Sequence, residues 1–140
     1  MEITDTHDTL RVLDSDLHGS HFSKAKLASA TFDDVNLQDS SFTNINLVKA
    51  AFVDVNLSGA SIKDANLTGM TISNAGLANA AFDDVNLQSS SFTNVNLANV
   101  AFVDINLSDA SIKDANLTGM TIDGVLVSEL LRVYHGRRKE

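Results

Sequence analysis

The chain contains no cysteine, proline or tryptophan in its 140 residues. Without cysteine there can be no disulfide, no thiolate nucleophile and no cysteine metal site. Long apolar runs are also missing: none approaches the ~18 residues of a membrane span. The first residues, Met1 to Asp5, offer neither the basic start nor the apolar centre of a signal peptide. The expected setting is therefore cytoplasmic, with no membrane contact. Histidine is scarce too, and His7, His18, His21 and His135 all lie near the ends, so none falls within the repeats from Phe22 to Tyr134. The inward hydroxyls expected at Ser40 and Ser90 thus have no base to activate them.

What the chain does have is a spacing of five. From Leu17 to Ile122 a large apolar residue occupies every fifth position, 22 in succession, of which eleven are Leu, seven Phe and four Ile. Two places before each stands Ala, Val, Ser, Ile or Met. A period of five would wind around an α-helix, and along a continuous strand it would alternate between faces. Within one unit, however, the small and the large residue are two apart and share a face. Each unit thus reads as a three-residue strandlet followed by a two-residue corner. The number of sides follows from a second rhythm, because Leu centres alternate with Phe or Ile centres. A four-sided coil of 20 residues stacks like on like, as solenoids do, whereas three or five sides would stack unlike residues, so four sides is the favoured reading.

Units such as Val35-Asn36-Leu37-Gln38-Asp39 and Ala65-Asn66-Leu67-Thr68-Gly69 are similar to those of the pentapeptide repeat family, and the likeness runs from about Ser15 to Val127. The resemblance implies an all-β fold, a right-handed quadrilateral β-helix with four pentapeptides per coil. It also brings a functional alternative. The best-known members, the quinolone-resistance proteins, act on DNA gyrase as mimics of duplex DNA, while many members have no assigned function.

The expected domains are an N-terminal cap or irregular unit over 1–14, the β-helix over 15–127, and a C-terminal capping helix with a basic tail over 128–140. Leu126, Val127, Leu130, Leu131 and Tyr134 follow helical spacing. Ser128 suits an N-cap and Gly136 a C-terminal stop. Leu130, Leu131 and Tyr134 are also the candidate residues for self-association into a homodimer. Residues 31–72 and 81–122 agree at 34 of 42 positions, a duplication offset by 50. Fifty residues are two and a half coils, so the copies should lie on opposite faces.

The net charge of −8 divides into −3 over residues 1–14, −7 over 15–127 and +2 over 128–140. An acidic rod repels nucleic acid and attracts basic surfaces. Direct nucleic-acid binding is not expected. The candidate interaction surface is the set Asp33, Asp34, Asp54, Asp64, Asp83, Asp84, Asp104 and Asp114. Two readings compete for these residues: Asp as a turn former at corners, or Asp as a surface that meets a basic protein. Asn precedes eight of the eleven Leu centres, where it can hold corner backbone and bond its neighbour one coil away. Asp16, His18 and His21 around one corner suit solvated turn residues better than metal ligands. No catalytic residue, metal site or cofactor is expected, and the favoured function is a non-enzymatic structural or protein-interaction scaffold with an unidentified protein partner.

Overall fold

The computed structural model describes the backbone of residues 2–3 and 10–138, and side chains from 10 to 136. The strands in chain order are β1 (Glu2–Ile3), β2 (Arg11–Asp16), β3 (His21–Ser23), β4 (Thr31–Asn36), β5 (Ser41–Asn46), β6 (Ala51–Val53) and β7 (Ser61–Asn66). They continue with β8 (Thr71–Gly76), β9 (Ala81–Asn86), β10 (Ser91–Asn96), β11 (Ala101–Asn106), β12 (Ser111–Asn116), β13 (Thr121–Ile122) and β14 (Val125–Leu126), before helix α1 (Val127–Arg138). The odd strands with β14 form one sheet and the even strands from β2 to β12 another. From β2 to β13 pairing is parallel between residues 20 apart, as in Phe22 with Phe42 and Phe92 with Ile112, while β1 pairs with β3 between residues 19 apart. The coil therefore closes after 20 residues, on four sides. The architecture is a β-helix solenoid with a short C-terminal helix.

There are two sheets rather than four because the corners alternate between two kinds. After a Leu centre the chain makes a hydrogen-bonded turn: Ser40 N donates to Leu37 O at 3.1 Å, with Asp39 at φ 59°. Positive φ at the third residue of such a turn is the type II signature. After a Phe or Ile centre the chain only bends, at a residue such as Asp34 with φ 57°, and the same strand carries on over the next side. Each sheet thus wraps two faces. Every fifth residue from Asp14 to Gly124 is left-handed, a conformation that Gly, Asn and Asp adopt at least cost. Gly19, Gly59, Gly69 and Gly119 all stand in the Leu-type turns, while ten of the eleven bends from Asp14 to Asp114 carry Asp or Asn and the other carries Lys24.

All the large centres from Phe22 to Phe102 are buried. Phe22 stacks on Phe42 at 4.7 Å and Phe32 on Phe52 at 4.6 Å, while Phe22 and Phe32 meet edge to face across the interior at 6.0 Å. The inward Ser90 donates to Leu67 O at 2.7 Å and accepts from Met70 N at 3.2 Å. Ser40 does the same with Leu17 O and Ser20 N. Their hydroxyls serve the backbone of the preceding coil. Leu10 and Val12 take their places against the core, as the five-residue frame requires, whereas the rest of the expected N-terminal cap, residues 4–9, lies outside the described residues.

At the far end the frame gives way to a hairpin. Asp123 and Gly124, at φ 47° and 81°, link β13 to antiparallel β14. Two consecutive positive φ values mark the turn that suits a right-handed twist, and Asp-Gly is its usual sequence. The hairpin covers the end of the odd-strand sheet only. Ile105, Leu107, Ile112, Ala115, Leu117 and Ile122 in the last coil stay partly exposed. Helix α1 begins one residue before Ser128, so Ser128 lies inside it, and it runs through Gly136 rather than stopping there. Val127 packs on the core, but Leu130, Leu131, Val133 and Tyr134 remain 40 to 55% exposed. Beyond Val127 the apolar side chains of the helix leave the last coil only partly covered.

Candidate interaction surfaces

The bend after each Phe or Ile centre places its left-handed residue on an outer edge of the square. The sequence-predicted acidic residues fall on two such edges, on opposite sides of the rod. One carries Asp14, Asp34 and Asp54 in consecutive coils with Asp33 beside them; the other carries Asp64, Asp84 and Asp104 with Asp83. The structure does not bring Asp114 into the first group, because Asn74 and Asn94 intervene in its column. Asn94 Nδ2 donates to Asn74 Oδ1 at 2.8 Å, the ladder that a carboxylate pair can form only by sharing a proton.

The stacked carboxyls feel one another. Asp34 is held above the usual carboxylate range, first by a hydrogen bond with Asp14 and then by the charges of Asp14, Asp54 and Asp33. Asp84 is raised in the same way, chiefly by its bond with Asp64, with Asp104 and Asp83 adding repulsion. Both groups are exposed, so solvent screens much of this. At the end of the second edge Asp123 takes a different part: its Oδ1 accepts from Asp104 N at 3.0 Å, replacing the strand that a further coil would have supplied.

The asparagines before Leu work locally. In all eight, Oδ1 accepts the N–H two residues on, as from Asn36 to Gln38 and from Asn86 to Gln88, each at 3.0 Å. The bond to the next coil expected for this column is formed by Asn36, whose Nδ2 donates to Asp16 at 3.2 Å. Elsewhere only the Oδ1 of this short side chain is engaged, by the turn it precedes. Asp16 also accepts from His18, which lowers its pKa, while His21 turns away to Ser41. Among the described residues no group of three or more His, Asp or Glu side chains is placed to hold a metal. Nor among them is any helix long and apolar enough to cross a membrane.

Residues 15–92 and 46–112 match the family model described as a pentapeptide repeat region. No curated protein matches in sequence. Among solved structures, a pentapeptide repeat protein from the Arabidopsis thaliana thylakoid lumen is 26% identical over 86% of this chain and 74% of that one, with a TM-score of 0.54. The pentapeptide repeat protein Rfr23 from the cyanobacterium Cyanothece 51142 is 20% identical over 83% and 82% of the two chains, with a TM-score of 0.51. QnrB1, a plasmid-mediated fluoroquinolone resistance protein, aligns over 92% of this chain and 98% of its own at 11% identity. Its TM-score of 0.32 is too low to carry a functional argument.

Proposed function

The chain belongs to the pentapeptide repeat family, and from that premise we propose that it is a non-enzymatic scaffold whose acidic edges bind a protein partner with a basic surface. One observation carries the reading. The bends need a left-handed residue, and Asn44, Asn74 and Asn94 supply it in the same columns without charge. Asp14, Asp34 and Asp54, like Asp64, Asp84 and Asp104, add carboxylates about 4.8 Å apart that repel. The charge exceeds what the corner requires. A cytoplasmic setting is part of the same proposal.

The test keeps the fold and removes the charge. Asn replaces Asp at 33, 34 and 54 in one variant and at 64, 83, 84 and 104 in another, and cross-linked pull-downs are compared with the original chain. Partners captured by the original and lost by a variant are expected, with circular dichroism unchanged. Capture by both variants equal to that by the original chain, or turnover of any substrate traced to a surface residue, would overturn the proposal.

A second reading, modulation of gyrase or another topoisomerase by mimicry of duplex DNA, draws on the unbroken run Asp64, Asp84, Asp104. Its spacing of ~4.8 Å along the rod compares with ~3.4 Å of helix axis per phosphate on one DNA strand. Against it, a charge of −7 along an axis of ~26 Å is less than half the duplex density. Gyrase supercoiling and quinolone-protection assays decide: no effect at micromolar protein removes this reading.

Homodimerisation through α1 is supported by the exposure of Leu130, Leu131 and Tyr134 beside an incompletely covered coil. Light scattering should give twice the chain mass, reverting to one in Leu131→Asp. A mass the same in both counts against it.

A further inference from the structure

Beyond each bend the next residue turns inward, so its two neighbours stand up as walls on either side of it. On the odd-strand sheet one wall is Lys24, Asn44, Asp64 and Asp84, and the other is Lys26, Asn46, Asn66 and Asn86. Ala25, Ile45 and Ala65 form the floor of an open groove of about 750 Å³. On the asparagine wall the Oδ1 atoms of Asn46, Asn66 and Asn86 accept from the backbone N–H of Val48, Thr68 and Gln88. Their Nδ2 groups are left to donate. The floor's peptide groups are already spent on the ladder, as in Asn46 N to Ala25 O at 3.0 Å. Anything bound here is recognised by side chains.

The groove is charged oppositely at its two ends: Lys24 and Lys26 stand at one, Asp64 and Asp84 at the other, with amides between. From Lys24 to Asp64 is two coils and to Asp84 three, or ~10 to ~14 Å along the axis. An extended chain rises ~3.3 Å per residue, so three or four residues span that length. The duplication supplies an internal comparison. Fifty residues on, a smaller groove of about 510 Å³ on the opposite side is lined by Asn74, Asn94, Asn96, Asp114 and Asn116. There Asn74 and Gly76 stand where Lys24 and Lys26 stand in the first, so the cationic end is missing.

We propose that the first groove binds an extended segment of a partner protein carrying an acidic and a basic residue three or four positions apart. The acidic side chain meets Lys24 and Lys26, the basic one meets Asp64 and Asp84, and small polar residues between them accept from Asn44, Asn46 and Asn66. The inference rests on the scaffold reading and shares Asp64 and Asp84 with its second acidic edge, but it adds the two lysines and the amide wall. Lys24 and Lys26 belong to neither acidic edge, so the two ideas fail separately.

The test is a nitrogen-15 NMR titration of the full chain with the peptide Ac-Glu-Ser-Ala-Ser-Lys-amide, against analogues bearing Gln at both ends, Glu at both ends or Lys at both ends. Saturable shifts at millimolar peptide are expected in the side-chain amides of Asn44, Asn46 and Asn66, with those of Asn94, Asn96 and Asn116 unmoved. The Gln analogue should bind at least fivefold more weakly. The double variant Lys24→Glu, Lys26→Glu should weaken the mixed-charge peptide to the same extent and leave the melting curve in place. No shift up to 10 mM peptide, equal shifts in both grooves, or an equal response to the Gln analogue would overturn the proposal, as would unchanged affinity in the double variant.

Discussion

Phe42 and Ile112 are both centres of the same five-residue frame, yet truncating them should have very different costs. Phe42 is fully buried, stacked on Phe22 at 4.7 Å and set edge to face against Phe52 at 6.3 Å. Replacing a buried Phe by Ala costs about 3 to 5 kcal/mol, and two ring partners place this site in the upper half of that range. Ile112 sits in the last coil, partly exposed, with no further coil of its sheet beyond it. A cavity there opens to water, so only part of the transfer term is lost, about 1 to 2 kcal/mol. Position along the solenoid matters as well, since a central defect interrupts coupling on both sides and a terminal one only shortens the rod. Guanidinium unfolding followed by circular dichroism measures both. With a slope of about 3 kcal/mol/M, Phe42→Ala should lower the midpoint by about 1.5 M and Ile112→Ala by about 0.5 M. Midpoints within 0.3 M of each other, or a larger loss at Ile112, would refute the claim that burial increases from the end of the stack to its middle.

Asn86→Ala removes the acceptor for Gln88 N and should cost about 1 kcal/mol, while Asn86→Asp, which keeps an acceptor, should cost less; the order of the two melting temperatures checks this. Gly124→Ala puts a Cβ at φ 81° in the terminal hairpin and should cost about 1 to 2 kcal/mol, read as faster hydrogen exchange in β14 ahead of the central strands. The raised pKa of Asp84 means that the folded chain holds its proton more tightly than the unfolded one, so this group favours folding more as pH falls from neutral through its folded value toward 3.8. Asp84→Asn, which keeps a residue suited to the left-handed bend, should therefore raise the melting temperature at pH 7 and flatten its rise toward pH 4; an unchanged profile would remove the coupling to Asp64.

The square cross-section was legible because it depends only on which side chains reach the interior, and the frame from Leu17 to Ile122 states that directly. The alternation of corners was harder to see. Whether the chain closes a turn, as at Leu37 to Ser40, or only bends, as at Asp34, depends on backbone angles that the side-chain pattern records indirectly. The available signal was the confinement of Gly19, Gly59, Gly69 and Gly119 to the corners after Leu. Asp123-Gly124 was likewise a readable hairpin pair inside a frame that otherwise continued unbroken to Val127. At the candidate surface, arithmetic by twenties grouped Asp64 with Asp84 and Asp104. The left-handed φ at those residues and the acceptor bonds of the asparagines required coordinates, because both are properties of the bent backbone. The exposure of α1 could not follow from its apolar spacing either, since spacing says which residues share a helix face and nothing about whether a neighbour meets that face.

The half-integral length of the duplication has a consequence for any scaffold role. A repeat of 40 or 60 residues would set Asp83 and Asp84 directly over Asp33 and Asp34, making one longer acidic edge for one larger partner. Fifty residues rotate the copy by half a turn and advance it about 12 Å. That moves β4 with Asp33 and Asp34 to the even-strand sheet and β9 with Asp83 and Asp84 to the odd. A single flat partner cannot cover both edges, because the packed core from Phe22 to Phe102 lies between them. Under the proposed reading the solenoid therefore holds two basic partners on opposite sides, and neutralising Asp33, Asp34 and Asp54 should halve the bound stoichiometry in sedimentation without weakening the site that remains. Loss of all binding from that one set of substitutions would mean that the second edge is not a site, and the symmetry of the duplication would then have no part in recognition.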